Sequence, residues 1–331
     1  MSNIDRRQLL HCAPALALAA PLLVSRACGQ DRYPSRPITL ILPYPAGGGT
    51  DVIARVFART LEQELGGTVV VVNKTGAGGN IATDAAANAK PDGYTLLIGN
   101  QGPMVVNPHL YKKLASDPAA MLEPISLIAE ASLVIVVARK LQVASFAELL
   151  AEIKRRPGQL NYASASNASA SHLATILLES QAGISARHIP YRGAAPALQD
   201  LLSGQVEFMI TTVPSATAFI EAGQLTALAV TGRKRVDVLP NVPTVGEAGL
   251  PGYVATAWYG LLGPKGLPPD IVARLEAATA KALQQPLLLA RLRDDGATPS
   301  NLRGAEFAAF MAREREAWGR VIKATGLSLD E

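Results

Sequence analysis

From Tyr33 onward, short apolar or β-branched runs alternate with stretches that carry a helical period, and the pattern persists almost to the end of the chain. Nothing else in the sequence limits the fold as much, because strands separated by helices build sheets whose faces the helices cover. Strand-like runs are read at residues 38–44, 68–72, 94–98, 133–138, 160–163, 186–190, 206–211, 225–231 and 256–262. Val52, Ile53, Val56, Phe57, Leu61 and Leu65 form one apolar stripe at helical spacing. Residues 146–156 are helical up to Pro157-Gly158, and further helices are read at 171–181, 195–202, 214–222, 269–283 and 305–325. The expected class is α/β with parallel sheets.

A chain of 331 residues, 49% hydrophobic and 18% charged, is globular and long enough for two α/β lobes. Residues 1–29 read as an export signal peptide. Arg6 and Arg7 supply a positive start, residues 13–24 an apolar stretch too short to span a bilayer, and Ser25-Arg26-Ala27 or Ala27-Cys28-Gly29 a small-residue cleavage site. The competing reading is a frayed cytosolic terminus. Arg6-Arg7-Gln8-Leu9-Leu10 resembles a twin-arginine signal, so twin-arginine and ordinary secretion both stay open. Ser25-Arg26-Ala27-Cys28 has a lipoprotein flavour, but Arg26 and the missing Leu at the third position before the cysteine argue against lipidation. Both cysteines, Cys12 and Cys28, lie in this segment, which leaves no internal disulfide and no cysteine metal site in the exported chain. Three of the 31 basic residues and one of the 27 acidic residues also fall there, so the remainder carries a net charge of about +2. No basic run interleaved with aromatics occurs, and nucleic-acid binding has no support.

Two glycine-rich turns each stand between a strand and a helix. Pro45-Ala46-Gly47-Gly48-Gly49-Thr50-Asp51 follows the first strand, and Lys74-Thr75-Gly76-Ala77-Gly78-Gly79-Asn80 follows the second. Such a turn aims bare N–H groups and the positive end of a helix at one point, which suits an anion. Neither turn is a nucleotide fingerprint. The first lacks the lysine of a phosphate loop, and Val52 and Ile81 stand where the dinucleotide pattern needs its third glycine. Thr50 or Asp51 is placed to cap the helix that follows. Each turn alone is more readily explained by tight-turn chemistry than by a site, but two at neighbouring strand ends point to a ligand outside the carboxyl ends of the sheet.

Several segments in order carry a family resemblance: Tyr33-Pro34-Ser35-Arg36-Pro37-Ile38, both glycine turns, Lys90-Pro91-Asp92-Gly93-Tyr94-Thr95-Leu96-Leu97, His188-Ile189-Pro190-Tyr191-Arg192-Gly193 and Leu239-Pro240-Asn241-Val242-Pro243-Thr244. Together they resemble the Bug-type extracytoplasmic solute receptors of tripartite tricarboxylate transporters, over essentially the whole chain after the export segment. The resemblance implies a two-lobed, type II periplasmic-binding-protein-like fold with a ligand cleft between the lobes. Lobe I would comprise residues 30–129 plus 256–331, and lobe II residues 130–255. It also implies a small carboxylate ligand held by backbone N–H groups, hydroxyls and ordered water, with no cofactor and no metal. The partner would be integral-membrane transporter subunits, or alternatively a sensor kinase, and the protein itself a monomer.

On lobe I the expected ligand-binding positions are the backbone of Ala46, Gly47, Gly48, Gly49 and Thr50, then Asn80, Asn100 and Gln101. On lobe II they are Ser164, Ser166, Asn167, Ser169, Thr211 and Thr212, with Tyr191 as a wall or donor. Tyr191 as interior packing and Ser169 as a helix cap are the competing readings, and Lys74 reads as solvated. Where the family usually has Tyr-Gly-Ser-x-Gly-x-Gly, this chain has Tyr162-Ala163-Ser164-Ala165-Ser166-Asn167-Ala168. Added β-carbons restrict positive φ and narrow the adjacent space, so this loop is expected to set specificity for a smaller or differently oriented ligand. His109, His172 and His188 are the histidines beyond the export segment, and neither a G-x-S-x-G elbow nor an H-E-x-x-H site is present. A hydrolase triad assembled from distant loops is the competing enzymatic reading.

Overall fold

A computed structural model describes residues 33–326; the export segment at 1–29 lies outside them. Strand β1 (Ile38–Leu42), helix α1 (Gly49–Leu65), strand β2 (Val69–Asn73), helix α2 (Asn80–Ala87) and strand β3 (Thr95–Gly99) open the fold as alternating units. Two short helices, α3 (Asn107–Leu110) and α4 (Pro118–Met121), lead into the long strand β4 (Leu122–Ala138). Alternation then resumes through α5 (Phe146–Arg155), β5 (Asn161–Ser164), α6 (Ala170–Ala182), β6 (Arg187–Pro190), α7 (Ala194–Ser203), β7 (Phe208–Thr212), α8 (Val213–Glu221) and β8 (Leu225–Val230). After a Pro/Gly-rich passage come β9 (Thr256–Pro264), α9 (Pro269–Ala282), α10 (Pro286–Asp294), β10 (Ala297–Pro299) and α11 (Gly304–Thr325).

Among the described residues the strands form one curled sheet in the order β2-β1-β3-β9-β4-β7-β5-β6, with β10 and β8 also paired to β4. The units joined by helices are parallel, as expected: β1 with β2 and β3, and β5 with β6 and β7. The expectation of wholly parallel sheets does not hold. β9 runs antiparallel to β3 and β4, and β4 antiparallel to β7 and β8. Neither β4 nor β9 is reached from a neighbouring strand by a single crossover helix, so the handed crossover that enforces parallel pairing does not act on them.

Strand β4 belongs to two ladders. Residues 122–132 pair with β9, and Leu133–Ala138 pair with β7 and β8. Where β4 changes ladders, the returning chain is stitched against it. Thr231 Oγ1 accepts from Leu133 N–H (2.8 Å) and donates to Ala255 O (2.6 Å), while Ser132 Oγ accepts from Gly232 N–H (2.9 Å). Ser132 N–H in turn donates to Gly296 O at 3.0 Å. Because β4 is shared, the residues from Tyr33 onward form one unit.

The core follows from the apolar stripes. Ile53, Phe57 and Leu61 of α1 are buried against Ile38, Leu40 and Leu42 of β1. Burial of each such side chain is worth roughly 1.5–3 kcal/mol. On the opposite face Ile41 and Leu97 meet Ala82 and Ala86 of α2 and Phe307 of α11. Around the second ladder Val134, Val136 and Met209 are covered by Leu198 and Leu201 of α7.

Candidate functional site

The loops that leave the carboxyl ends of β1, β2, β3, β5, β6 and β7 open into one cavity of about 1060 Å³. This is where open α/β sheets present their ligand sites. The two ladders approach closely at its edge. A β-carbon on Gly49 would lie 3.2 Å from Thr212 Cγ2, and one on Gly102 would lie 2.7 Å from Ala168 O.

Among the described residues five helices begin at the cavity wall: α1 with Gly49 and Thr50, α2 behind Gly79, α6 with Ala170 and Ser171, α7 with Ala194 and Ala195, and α8 behind Thr212. First-turn N–H groups have no acceptor within their own helix, and the helix dipole makes that end positive. Only α6 has a side-chain cap, Ser169, whose Oγ accepts from His172 N–H. The N-caps of α1 (Gly48), α2 (Gly79), α7 (Gly193) and α8 (Thr212) make no side-chain cap bond. The expected cap on α1, Thr50 or Asp51, is therefore Gly48 instead, and both residues lie inside the first turn.

Asp51 fixes this loop from behind. Its nearly buried carboxylate accepts from Gly47 N–H (3.1 Å), Arg55 Nε (2.9 Å) and Asn73 Nδ2 (3.0 Å). Burial works to raise its pKa, but the donors Arg55, Asn73 and Gly47 outweigh burial and hold it below the usual carboxylate value. The negative charge is thus spent on the loop, and among the described residues no acidic side chain lines the cavity. Arg192 is the one charged residue among the lining residues, and Lys74 is not among them.

The structure brings Ala46, Gly47, Gly48, Gly49, Thr50, Asn100, Gln101, Ser166, Asn167, Ser169, Tyr191, Thr211 and Thr212 to the cavity wall. Some of these side chains are already engaged. Gln101 Nε2 donates to Thr256 O and its Oε1 accepts from Trp258 N–H, which braces β9. Asn100 Oδ1 accepts from Tyr44 OH at 3.3 Å. Tyr191 OH donates to Asp200 Oδ2 at 2.7 Å, and burial together with that carboxylate pushes the phenol up to about 12.

Asn80 and Ser164 do not line the cavity. Asn80 Oδ1 accepts from Asn107 Nδ2 (2.6 Å), which also donates to Gly78 O, so the pair holds the second glycine turn from beneath. Ser164 is fully buried; its hydroxyl donates to Ser166 O (3.0 Å), and His188 Nε2 lies 2.6 Å from the same oxygen. His188 stacks on His172 with ring centroids 3.9 Å apart, and Ala168 N–H donates to His172 Nδ1. Burial lowers His188 to about 4, and burial together with His188 lowers His172 to about 3. Both rings are neutral at physiological pH. Ser164 Oγ thus sits between Ser166 O and His188 Nε2, behind the loop and away from the cavity wall, so the pair braces the loop from within.

Of the three residues standing where the family has glycine, only Ala168 has a left-handed backbone, at φ 55°. Sequence reasoning passed over Tyr44, Arg192, Gln199, Ser215, Phe219 and Tyr259, all of which line the cavity. Arg192 directly follows the strand end that carries Tyr191, and that position was its available signal.

The cleft at the strand ends of the two ladders, walled by helix N-termini, is an arrangement suited to an anionic solute. Residues 53–327 match the tripartite tricarboxylate transporter family receptor profile (TctC), and the chain belongs to that family. Protein BugT of Bordetella pertussis is 39% identical over 313 residues, 94% of each chain. Among solved structures, Rpa4515 of R. palustris with adipate has a TM-score of 0.84 at 34% identity, covering 90% of this chain and all of that one. MatC (Rpa3494) of Rhodopseudomonas palustris with bound malate has a TM-score of 0.80 at 33% identity, covering 88% of this chain and all of that one.

Proposed function

We propose that this protein is an exported receptor that captures a small carboxylate by closing two lobes around it and delivers it to the membrane subunits of a tripartite transporter. The observation that carries this reading is the meeting of uncapped helix N-termini, those of α1, α2, α7 and α8, at a cavity that no acidic side chain lines among the described residues. The adipate and malate in the two related structures fit the same ligand class. The lobes are residues 30–129 with 256–331, and residues 130–255. The change of ladder along β4, and the stitched return near Thr231 and Ala255, support a hinge there.

Magnitudes explain why two lobes are required. One helix terminus contributes about 0.3–1 kcal/mol to anion binding, or ~2 when partly buried. Micromolar affinity needs about 8 kcal/mol. Several charge-assisted hydrogen bonds, worth roughly 1.5–3 kcal/mol each, must add to the termini, and both walls have to donate them. The donors in this reading are the N–H groups of Gly48, Gly49 and Thr50 on one wall. Asn167, Thr211 and Thr212 serve on the other, where Ser166 and Ser169 donate within their own loop and hold its shape. The protein binds its ligand without transforming it, in keeping with the engaged Ser164 hydroxyl.

A thermal-shift series with mono-, di- and tricarboxylates tests the reading. A bound carboxylate at 100 times its dissociation constant adds about 2.7 kcal/mol of stability. A shift with sugars or cations and none with any carboxylate overturns it.

A further inference from the structure

Tyr259 of β9 is 3% exposed and lines the cavity, yet its hydroxyl forms no hydrogen bond among the described residues. The strand accounts for this. Trp258 packs with Phe307 on one side of the sheet, while Ala257 and Tyr259 face the side that carries α1. On that side Tyr259 stands opposite Ala129, and Ala257 opposite Ala131. The neighbours of the ring on the sheet are therefore methyl groups, which cannot serve a hydroxyl. A buried hydroxyl without a partner is destabilising, and phenylalanine fills the same space without that penalty.

The polar groups nearest in electrostatic terms are engaged elsewhere. Burial raises the Tyr259 phenol well above its ordinary value, and Asp295 and Tyr44 add to the rise, so its O–H stays intact and free to donate. Arg291 donates to both carboxylate oxygens of Asp295, and Tyr44 OH donates to Asn100 Oδ1 at 3.3 Å. Asp295 also decides what kind of acceptor suits the phenol. The influence that keeps Tyr259 protonated disfavours any further negative charge beside it, which makes a ligand carboxylate a poor partner at this point of the wall. Negative charge is better placed at the helix N-termini. An uncharged oxygen meets no such repulsion and can accept the phenolic proton.

Resting on the carboxylate-receptor reading above, we propose that Tyr259 donates a hydrogen bond to an uncharged oxygen of the ligand, a hydroxyl or a keto group, and so selects oxygenated carboxylates over their unsubstituted counterparts. The helix N-termini do not make that distinction, since they meet the charge that both kinds of ligand share.

Calorimetric titration of the whole exported chain, native and Tyr259→Phe, tests this with two matched sets: succinate, malate and oxaloacetate, then glutarate, 2-hydroxyglutarate and 2-oxoglutarate. In the set bound more tightly, the native protein is expected to prefer the hydroxy or the oxo member at least about fivefold over the unsubstituted acid. Which of the two is preferred tells a hydroxyl from a keto oxygen. Tyr259→Phe is expected to abolish the preference by weakening the oxygenated member, with the unsubstituted acid held within about twofold. The ligand-free melting temperature of Tyr259→Phe is expected to stay level or rise, because no hydrogen bond within the protein is lost. A lowered melting temperature, a preference that survives in Tyr259→Phe, or an equal loss for every member overturns the assignment to Tyr259 and leaves the receptor reading standing. So does a native protein that shows no such preference, or that binds only carboxylates lacking an uncharged oxygen. Failure of the native protein to bind any carboxylate overturns both.

Discussion

Gly49 stands at a close approach at the cavity edge, between the tip of α1 and Thr212. Placing a β-carbon there brings it within 3.2 Å of the Thr212 methyl, tight enough that the two loops must part by a few tenths of an ångström. At the first position of a helix, alanine is otherwise the better residue by roughly 0.5–1 kcal/mol. Gly49→Ala is therefore expected to leave melting temperature unchanged or higher while weakening carboxylate binding severalfold. Thr212→Ser, which removes the methyl but keeps the hydroxyl bonded to Ser215, is expected to restore binding in the double variant. Additive losses in that cycle count against the contact.

The same scale shows what single residues reveal in a sequence and what they hide. Gly47–Gly49, Thr211 and Thr212 were legible as cavity residues because they stand at strand ends, where chain direction alone fixes their position. Asn80 and Ser164 stand at equivalent places in the sequence, yet their side chains turn behind the loops toward Asn107 and His188. Spacing cannot tell the two sides of a loop apart. Arg192 was hidden for a different reason: an exposed arginine beside a cavity and one in open solvent look alike until the acid beside it is found to be engaged elsewhere.

Among the elements, α6 and β6 carry an acid-sensitive contact. His172 on α6 and His188 on β6 stack face to face, and both are held neutral in the fold. Tyr162 of β5 packs on His188, Ala168 N–H faces His172 Nδ1, and Ser164 faces His188. Glu179, farther along α6, is itself raised by burial and bonded to Ala186 N–H. The folded pKa values lie below the ordinary histidine value of 6.5, so the unfolded chain takes up these protons first. Their contribution to stability is expected to be complete above pH 6.5 and to fall as pH drops toward about 4 and 3. For His172, the more deeply buried ring, the slope is about 1.4 kcal/mol per pH unit inside that window, and His188 adds less. Denaturant unfolding at pH 7 and pH 5 measures it. A His172→Gln variant that keeps the full native slope removes the stacked pair as the cause.

Elements also differ in how plainly the sequence announces them. The stripe of α1 was read almost residue by residue, because Ile53, Phe57 and Leu61 face a single apolar surface. The first half of β4 was not read at all. Register shifts at Pro124/Ser126 and at Leu127/Ala129 break the alternation by which a strand is recognised. Its burial depends instead on β9, which is distant in sequence.

At the scale of the whole molecule, the passage from one ladder to the other rests on Thr231. Its hydroxyl serves Leu133 N–H and Ala255 O in a fully buried setting. Thr231→Val keeps the shape and leaves two backbone groups unpaired, each costing about 1–3 kcal/mol. An overall loss of roughly 2–5 kcal/mol is expected in equilibrium unfolding. A loss below ~1 kcal/mol means that water or a neighbour substitutes and that the stitch is dispensable. Parallel pairing within each ladder followed from the sequence pattern, but the antiparallel course of β4 and β9 did not, since that depends on where the chain leaves one ladder and re-enters it.

Strand β9 gives this topology a particular order of assembly. It pairs with β3 on one side and β4 on the other, so it is an interior strand made from a late stretch of chain. A growing chain that has reached residue 255 holds both neighbours and lacks the strand that joins them. Two open hydrogen-bonding edges then face each other, the condition under which strands pair with the wrong chain. Loss of the C-terminal quarter is thus not the trimming of an end but the removal of the middle of a sheet.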